Sequence, residues 1–142
     1  MSCYNSTVVN ASIEEVWRAI RNFHELAWGE PVITSVESVG DAAGDKAGAK
    51  RILNGAFHET LTGLDDDKYT FTYTIDDGPE PVSKSSVSDY VGTVRLLPIT
   101  DDNATFVEWT SEYDSSQPNE VADFCNPIYV ALLASLKKYF AR

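Results

Sequence analysis

Cysteine is almost absent from this chain, occurring only at Cys3 and Cys125. The two are far apart and in no metal-like or redox-like spacing, so two free thiols in a reducing compartment are the simplest expectation. Positive charge is also scarce: 11 Lys and Arg stand against 22 Asp and Glu, a net charge of −11. That balance repels phosphate backbones and anionic lipid headgroups, which argues against nucleic acid and the membrane surface as partners. No apolar run is long enough to span a bilayer, and the N-terminus lacks a basic-then-apolar signal segment; a soluble, cytoplasmic protein is expected. His24 and His58 have no second His, Cys or suitably spaced carboxylate beside them, so no metal site is predicted. Ser-His-Asp elbows, Walker loops and dinucleotide glycine motifs are missing too, and no cofactor is expected. Aspartates are plentiful but sit mainly in turns, and no run has the alternating ligands and central glycine of a calcium loop.

What remains is a chain of 142 residues, 43% of them hydrophobic. By length this is a single domain, residues 1–142, with a core that needs neither disulfides nor metals. A first strand is predicted over Tyr4 to Asn10. Ser12 and Glu15 form a capping box, and Ile13, Val16, Trp17 and Ile20 follow at helical spacing. A second short helical piece is predicted over Phe23 to Trp28, ending at Gly29 and Pro31. Strands follow at Val32 to Val39 and at Ala49 to Leu53. Asn54-Gly55 is a strong hairpin dipeptide leading into Phe57 to Leu64, and Lys68 to Ile75 returns. Ser83 to Ser88 reads as a flexible loop. Strands at Tyr90 to Leu97 and Ala104 to Tyr113 precede a long helix. That helix starts near Pro118 and carries the stripe Val121, Phe124, Ile128, Leu132, Leu136 and Phe140, with a kink or restart expected at Pro127.

The hairpin from Phe57 to Ile75 holds an anomaly. Its odd positions, Phe57, Glu59, Leu61, Tyr69, Phe71, Tyr73 and Ile75, form one face; its even positions are mostly threonine. Glu59 thus lies on the apolar face, where a charge must be paired, hydrated or useful. Arg51 is its candidate partner on the preceding strand, although Ile52 offers an apolar alternative for the inward position. In the last strands, Glu108, Glu112 and Arg95 point outward, which leaves Val107, Trp109, Ser111 and Tyr113, and Tyr90, Val94 and Leu96, pointing inward.

The order of these elements resembles the START-like (SRPBCC) superfamily, within it the polyketide cyclase/dehydrase group, related to birch-pollen-allergen-like and plant hormone-receptor proteins. The resemblance is carried by Ala11-Ser12 with Val16-Trp17, Gly48-Ala49 with Arg51, Glu59 with Leu61 and Leu64-Asp65-Asp66, Tyr73 with Ile75, Pro81-Val82, and Tyr90 ahead of Pro98. It implies an α+β helix-grip fold: a curved antiparallel sheet of about seven strands wrapped around a long C-terminal helix, with two short helices after the first strand. It also implies a cavity between sheet and helix, lined at Glu59, Tyr73, Tyr90, Trp109, Phe124, Ile128 and Leu132. The chain departs from the plant hormone receptors where their hormone-binding lysine falls, since the nearest match is Glu30. Their proline-bearing gate loop is replaced by the shorter Asn54-Gly55 turn, while Ser83 to Ser88 lengthens the opposite loop into a candidate lid.

The candidate ligand-binding residues are therefore Arg51, Glu59, Tyr69, Phe71, Tyr73, Tyr90, Trp109, Phe124, Ile128 and Leu132. Several phenols on one inward face favour a cavity, because a dry core would prefer Phe. Two functional readings stand side by side. In one, the protein binds a hydrophobic or aromatic small molecule, with Glu59, Tyr73, Tyr90 and Arg51 as polar anchors. In the other, it is a cyclase, dehydratase or isomerase in which Glu59 is the general acid/base and a tyrosine steadies an enolate. A structural Arg51–Glu59 pair, and an interaction module with a filled interior, are the bland alternatives. A monomer and a homodimer both fit, the latter through an exposed edge strand.

Overall fold

Alternation of apolar and polar side chains over long stretches has built one antiparallel sheet and left its concave face to be covered by helices. The computed structural model describes residues 2–141. Among them the strands are β1 (Ser2–Val9), β2 (Val36–Val39), β3 (Lys50–Leu53), β4 (Phe57–Asp65), β5 (Thr70–Asp77), β6 (Val87–Ile99) and β7 (Ala104–Ser115). They pair in the order β1-β7-β6-β5-β4-β3-β2, every pair antiparallel. Two helices complete the fold: α1 (Ile13–Ile20) and α2 (Pro118–Tyr139). This is the helix-grip architecture expected from the sequence.

Helix α1 begins where the capping box placed it. The Ser12 side chain accepts from the Glu15 amide at 3.3 Å and donates to the Glu15 carboxylate at 3.1 Å, an arrangement worth about 1 kcal/mol. Its apolar stripe of Ile13, Val16, Trp17 and Ile20 is buried. Helix α2 packs on β1, β7 and the Ala27–Gly29 turn, and Asn5 Nδ2 donates to Asn126 Oδ1 at 2.9 Å to tie it to β1.

The structure differs from the sequence-based expectation in four places. The second helical piece is a single 3₁₀ turn at Ala27–Gly29, because the amides before it are held in a turn: Phe23 N donates to Gly44 O and the Asn22 side chain accepts from the His24 amide. The strand predicted from Val32 begins only at Val36; residues 32 to 35 are instead held by Asn54, which donates to Val32 O at 3.0 Å and accepts from the Thr34 amide at 2.7 Å. Helix α2 continues through Pro127 without the restart. A register shift between Leu61 and Gly63 interrupts the strict alternation of β4, so that Leu64, not Gly63, sits opposite Phe71; one extra residue in a strand turns every later side chain over.

Candidate functional site

The inward parity of β3, β4 and β5 brings Arg51, Glu59, Tyr73 and Ile75 to one face. Arg51 lies directly opposite Glu59 in the β3–β4 register, and Leu61 opposite Tyr73 in β4–β5. Ile52 is half-buried on the other face. Arg51 is 4% exposed and Glu59 6%. The Arg51 Nε donates to Glu59 Oε1 at 2.8 Å, its Nη2 lies 2.7 Å from the same oxygen, and its Nη1 donates to Phe23 O at 3.0 Å. The guanidinium is stacked over the Phe23 ring, 3.6 Å from its centroid. Both contacts from the arginine to the glutamate therefore converge on one carboxylate oxygen. Among the described residues, no hydrogen bond reaches Glu59 Oε2. Burial pushes the Glu59 carboxyl above its usual range, and the adjoining Arg51 charge opposes that rise.

Beside this pair the interior is open. A cavity of about 250 Å³ lies between the sheet and α2. The sheet supplies Arg51, Leu53, Phe57, Glu59, Tyr73, Ile75 and Trp109 to its wall. Helix α2 supplies Cys125, Ile128, Tyr129 and Leu132, and the chain before β2 supplies Leu26, Val32 and Ile33. Asn54 is exposed and Val32, Phe57 and Ile128 are half-buried, so the wall reaches solvent where the β3–β4 turn, the residues before β2 and α2 meet.

The polar groups on the inner side form a chain. Trp109 Nε1 donates to the Tyr73 hydroxyl at 2.9 Å, the Tyr73 and Tyr129 hydroxyls lie 3.5 Å apart, and Tyr129 pairs closely with the Tyr90 hydroxyl. Desolvation raises the Tyr73, Tyr90 and Tyr129 phenols well above their ordinary value, and pushes the Cys125 thiol up to about 11. These hydroxyls are therefore neutral donors and acceptors, and Cys125 is held as the protonated thiol at neutral pH. Tyr73 has space for its ring because Gly92 lies opposite it in β6; a Cβ on Gly92 would stand 2.3 Å from the ring.

Of the residues singled out from the sequence, Arg51, Glu59, Tyr73, Trp109, Ile128 and Leu132 are gathered on the cavity wall. The other four are not on it. Tyr69 has φ 48° at the turn into β5 and meets Trp17 edge-on, with ring centroids 5.9 Å apart. Phe71 is buried at the same far end between Trp17 and Phe23. Tyr90 stacks on Tyr113 behind Tyr129, and Phe124 stacks against Phe57 at the edge of α2. Residues 83 to 88, the candidate lid, likewise contribute nothing to the wall. Phe23 and Trp28 are buried and do not line the cavity, and His24 Nε2 pairs with Lys50 O at 2.9 Å.

Sequence reasoning missed Cys125 and Tyr129. Its helical stripe followed the larger apolar side chains Phe124 and Ile128, whereas the deeper line on α2 is Val121, Cys125, Tyr129, Leu132, Leu133 and Leu136. Spacing of four from Val121 through Cys125 to Tyr129 was the available signal. Leu26, Val32 and Ile33 come from irregular chain, in stretches that the sequence reads as a short helix and a strand.

The chain is matched over residues 2–141 by the family model described as polyketide cyclase/dehydrase and lipid transport. Among solved structures, it resembles a protein of Nitrosospira multiformis at 41% identity, with a TM-score of 0.96, covering 99% of this chain and 97% of that one. It resembles the protein XoxI of Bacillus cereus at 26% identity and a TM-score of 0.80, covering 98% and 94%. A protein of Bacillus thuringiensis is also similar at 26% identity and a TM-score of 0.80, covering 99% and 98%. No match was found among curated proteins.

Proposed function

We propose that this chain, which belongs to the polyketide cyclase/dehydrase and lipid transport family, binds a hydrophobic or aromatic small molecule between its sheet and its C-terminal helix. The observation that carries the reading is the cavity of about 250 Å³, apolar around most of its wall and furnished with a few convergent polar groups. A cavity of about 150 Å³ accepts benzene, so this one suits a substituted or fused ring system. Arg51, Glu59, Tyr73 and Trp109 are the proposed ligand contacts on the sheet, and Ile128 and Leu132 those on α2. Tyr90 acts only through Tyr129, and Phe124 only through Phe57. Tyr69 and Phe71 support the far end of the sheet. Native mass spectrometry of freshly purified protein is expected to show a small-molecule adduct that is lost in Ile128→Trp, whose side chain fills the cavity. An adduct that persists unchanged in a folded Ile128→Trp protein overturns the reading.

A second reading is favoured by one specific feature, the Glu59 oxygen without a protein donor on the same cavity wall as the Tyr73 hydroxyl. In it Glu59 exchanges a proton next to a substrate carbonyl while Tyr73 steadies the enolate, as in a cyclase, dehydratase or isomerase. Glu59→Gln then abolishes turnover and largely preserves binding. The alternative of an interaction module with a filled interior is disfavoured by the open cavity.

A further inference from the structure

The polar groups of the cavity are unevenly spent, and that imbalance selects among ligands. Each Arg51 nitrogen is already engaged, two on Glu59 Oε1 and one on Phe23 O. Two of its five N–H groups are uncommitted, but its charge is already neutralised by Glu59, and Arg51 is the only Lys or Arg among the lining residues. Glu59 Oε2, by contrast, is an acceptor without a donor in a residue 6% exposed. That oxygen is not among the sealed unpartnered atoms and reaches open space, so water in the cavity can donate to it; a ligand that displaces the water without donating leaves it unpaired. Tyr73 provides the complement: its oxygen accepts from Trp109 Nε1, and its own hydrogen has only the long 3.5 Å contact with the Tyr129 hydroxyl, which a ligand acceptor can replace.

We infer that the bound molecule is a flat, neutral compound bearing a hydroxyl or N–H group that donates to Glu59 Oε2 and accepts from Tyr73, and that carboxylic acids are rejected. The inference rests on the binding function proposed above and deepens it. A ligand carboxylate would meet the Glu59 carboxylate with no free cation between them, and like charges in a low-dielectric site repel strongly. An ether in place of the hydroxyl would fill the same space and leave Glu59 Oε2 unpaired; a site built to hydrogen-bond a donor discriminates sharply against an analogue lacking it.

Three probes of one shape test this by isothermal titration calorimetry at neutral pH: 2-naphthol, 2-methoxynaphthalene and 2-naphthoate. The expected order is naphthol at least tenfold tighter than the ether, and the acid weakest by a further tenfold or more. In Glu59→Gln the acid is expected to gain at least tenfold, because the Arg51 charge is no longer neutralised. An ether or an acid that binds the wild type as tightly as naphthol overturns the donor rule while leaving ligand binding intact. Failure of all three to bind overturns both the rule and the binding function. The wild-type series decides the outcome even if the variant does not fold.

Discussion

The two ends of the concave face are built from the same kinds of residue and come out differently. At one end Trp17, Tyr69, Phe71 and Phe23 pack ring on ring, with Trp17 and Phe71 centroids 6.3 Å apart and Phe23 and Phe71 6.4 Å apart. At the other end Tyr73, Ile75 and Trp109 face about 250 Å³ of open space. Each end also has an arginine–carboxylate pair and a tryptophan whose indole N–H is satisfied. At the packed end Trp17 Nε1 donates to Asp66 at 2.7 Å, and Arg21 holds the same carboxylate at 2.9 Å. At the cavity end Trp109 donates to Tyr73 and Arg51 holds Glu59. The difference lies in what covers the sheet. Helix α1 drives Trp17 into one end, whereas α2 presents Cys125 and Ile128 to the other and the residues before β2 only rim it. A cavity here is the place where the covering helix runs out of bulk.

The largest expected break in this comparison is Arg51→Ala. It strands the buried Glu59 carboxylate, and loss of one partner of a buried pair costs about 3–5 kcal/mol. Urea denaturation at neutral pH is expected to register that loss, and acidification that protonates Glu59 is expected to recover part of it. A loss below about 1 kcal/mol would mean that Glu59 is already neutral in the folded protein.

Truncation should then separate the two ends by packing. Phe71→Ala opens a hole among Trp17, Phe23 and Tyr73 and is expected to cost about 3–5 kcal/mol. Ile128→Ala enlarges a space that already exists, at a half-buried position, and about 1 kcal/mol is expected. Equal losses in denaturation would show that the cavity end is as tightly packed as the other. Between them lies Gly92→Ala, at the boundary where Tyr73 crosses β6. Its new methyl group meets the Tyr73 ring at 2.3 Å, so the ring must swing away from Trp109. A cost of about 1–3 kcal/mol is expected, together with a changed Trp109 fluorescence.

Much of this was legible beforehand, for a reason visible in β5, β6 and β7. A strand with one buried face writes its orientation into every second residue, so the inward lines of Tyr73, of Tyr90, Val94 and Leu96, and of Trp109, Ser111 and Tyr113 could be read directly. The same parity put Arg51 and Glu59 on one side. Parity, however, says which face a residue occupies and not how far along the groove it lies. Phe71 and Tyr73 are two residues apart on one face, yet the first is locked among rings and the second borders the cavity. The bulge after Leu61 and the left-handed turn at Tyr69 also leave no mark in a hydrophobic pattern. Nor did the pattern separate Tyr129 from Ile128 on α2, since a helix spreads its buried stripe over neighbouring positions.

The smallest expected effect compares the two carboxylates by the sign of their pH dependence. Asp66 is held below the usual carboxylate range, first by its hydrogen bonds from Arg21 and then by that from Trp17. Its contribution is therefore fully present above the unfolded value of about 3.9 and is lost as pH falls through the lower folded value. Glu59 is shifted the other way by burial, so its contribution is present below the unfolded value of about 4.3 and is lost as pH rises through the raised folded value. Asp66 is 56% exposed at its side chain, so Asp66→Asn is expected to cost only about 0.2–1 kcal/mol at neutral pH, and less at high salt. Difference curves of stability against pH for Asp66→Asn and Glu59→Gln should bend in opposite directions. If both bend toward acid, Glu59 behaves as a paired surface carboxylate, and the desolvated, half-satisfied acceptor on which the ligand rule depends does not exist.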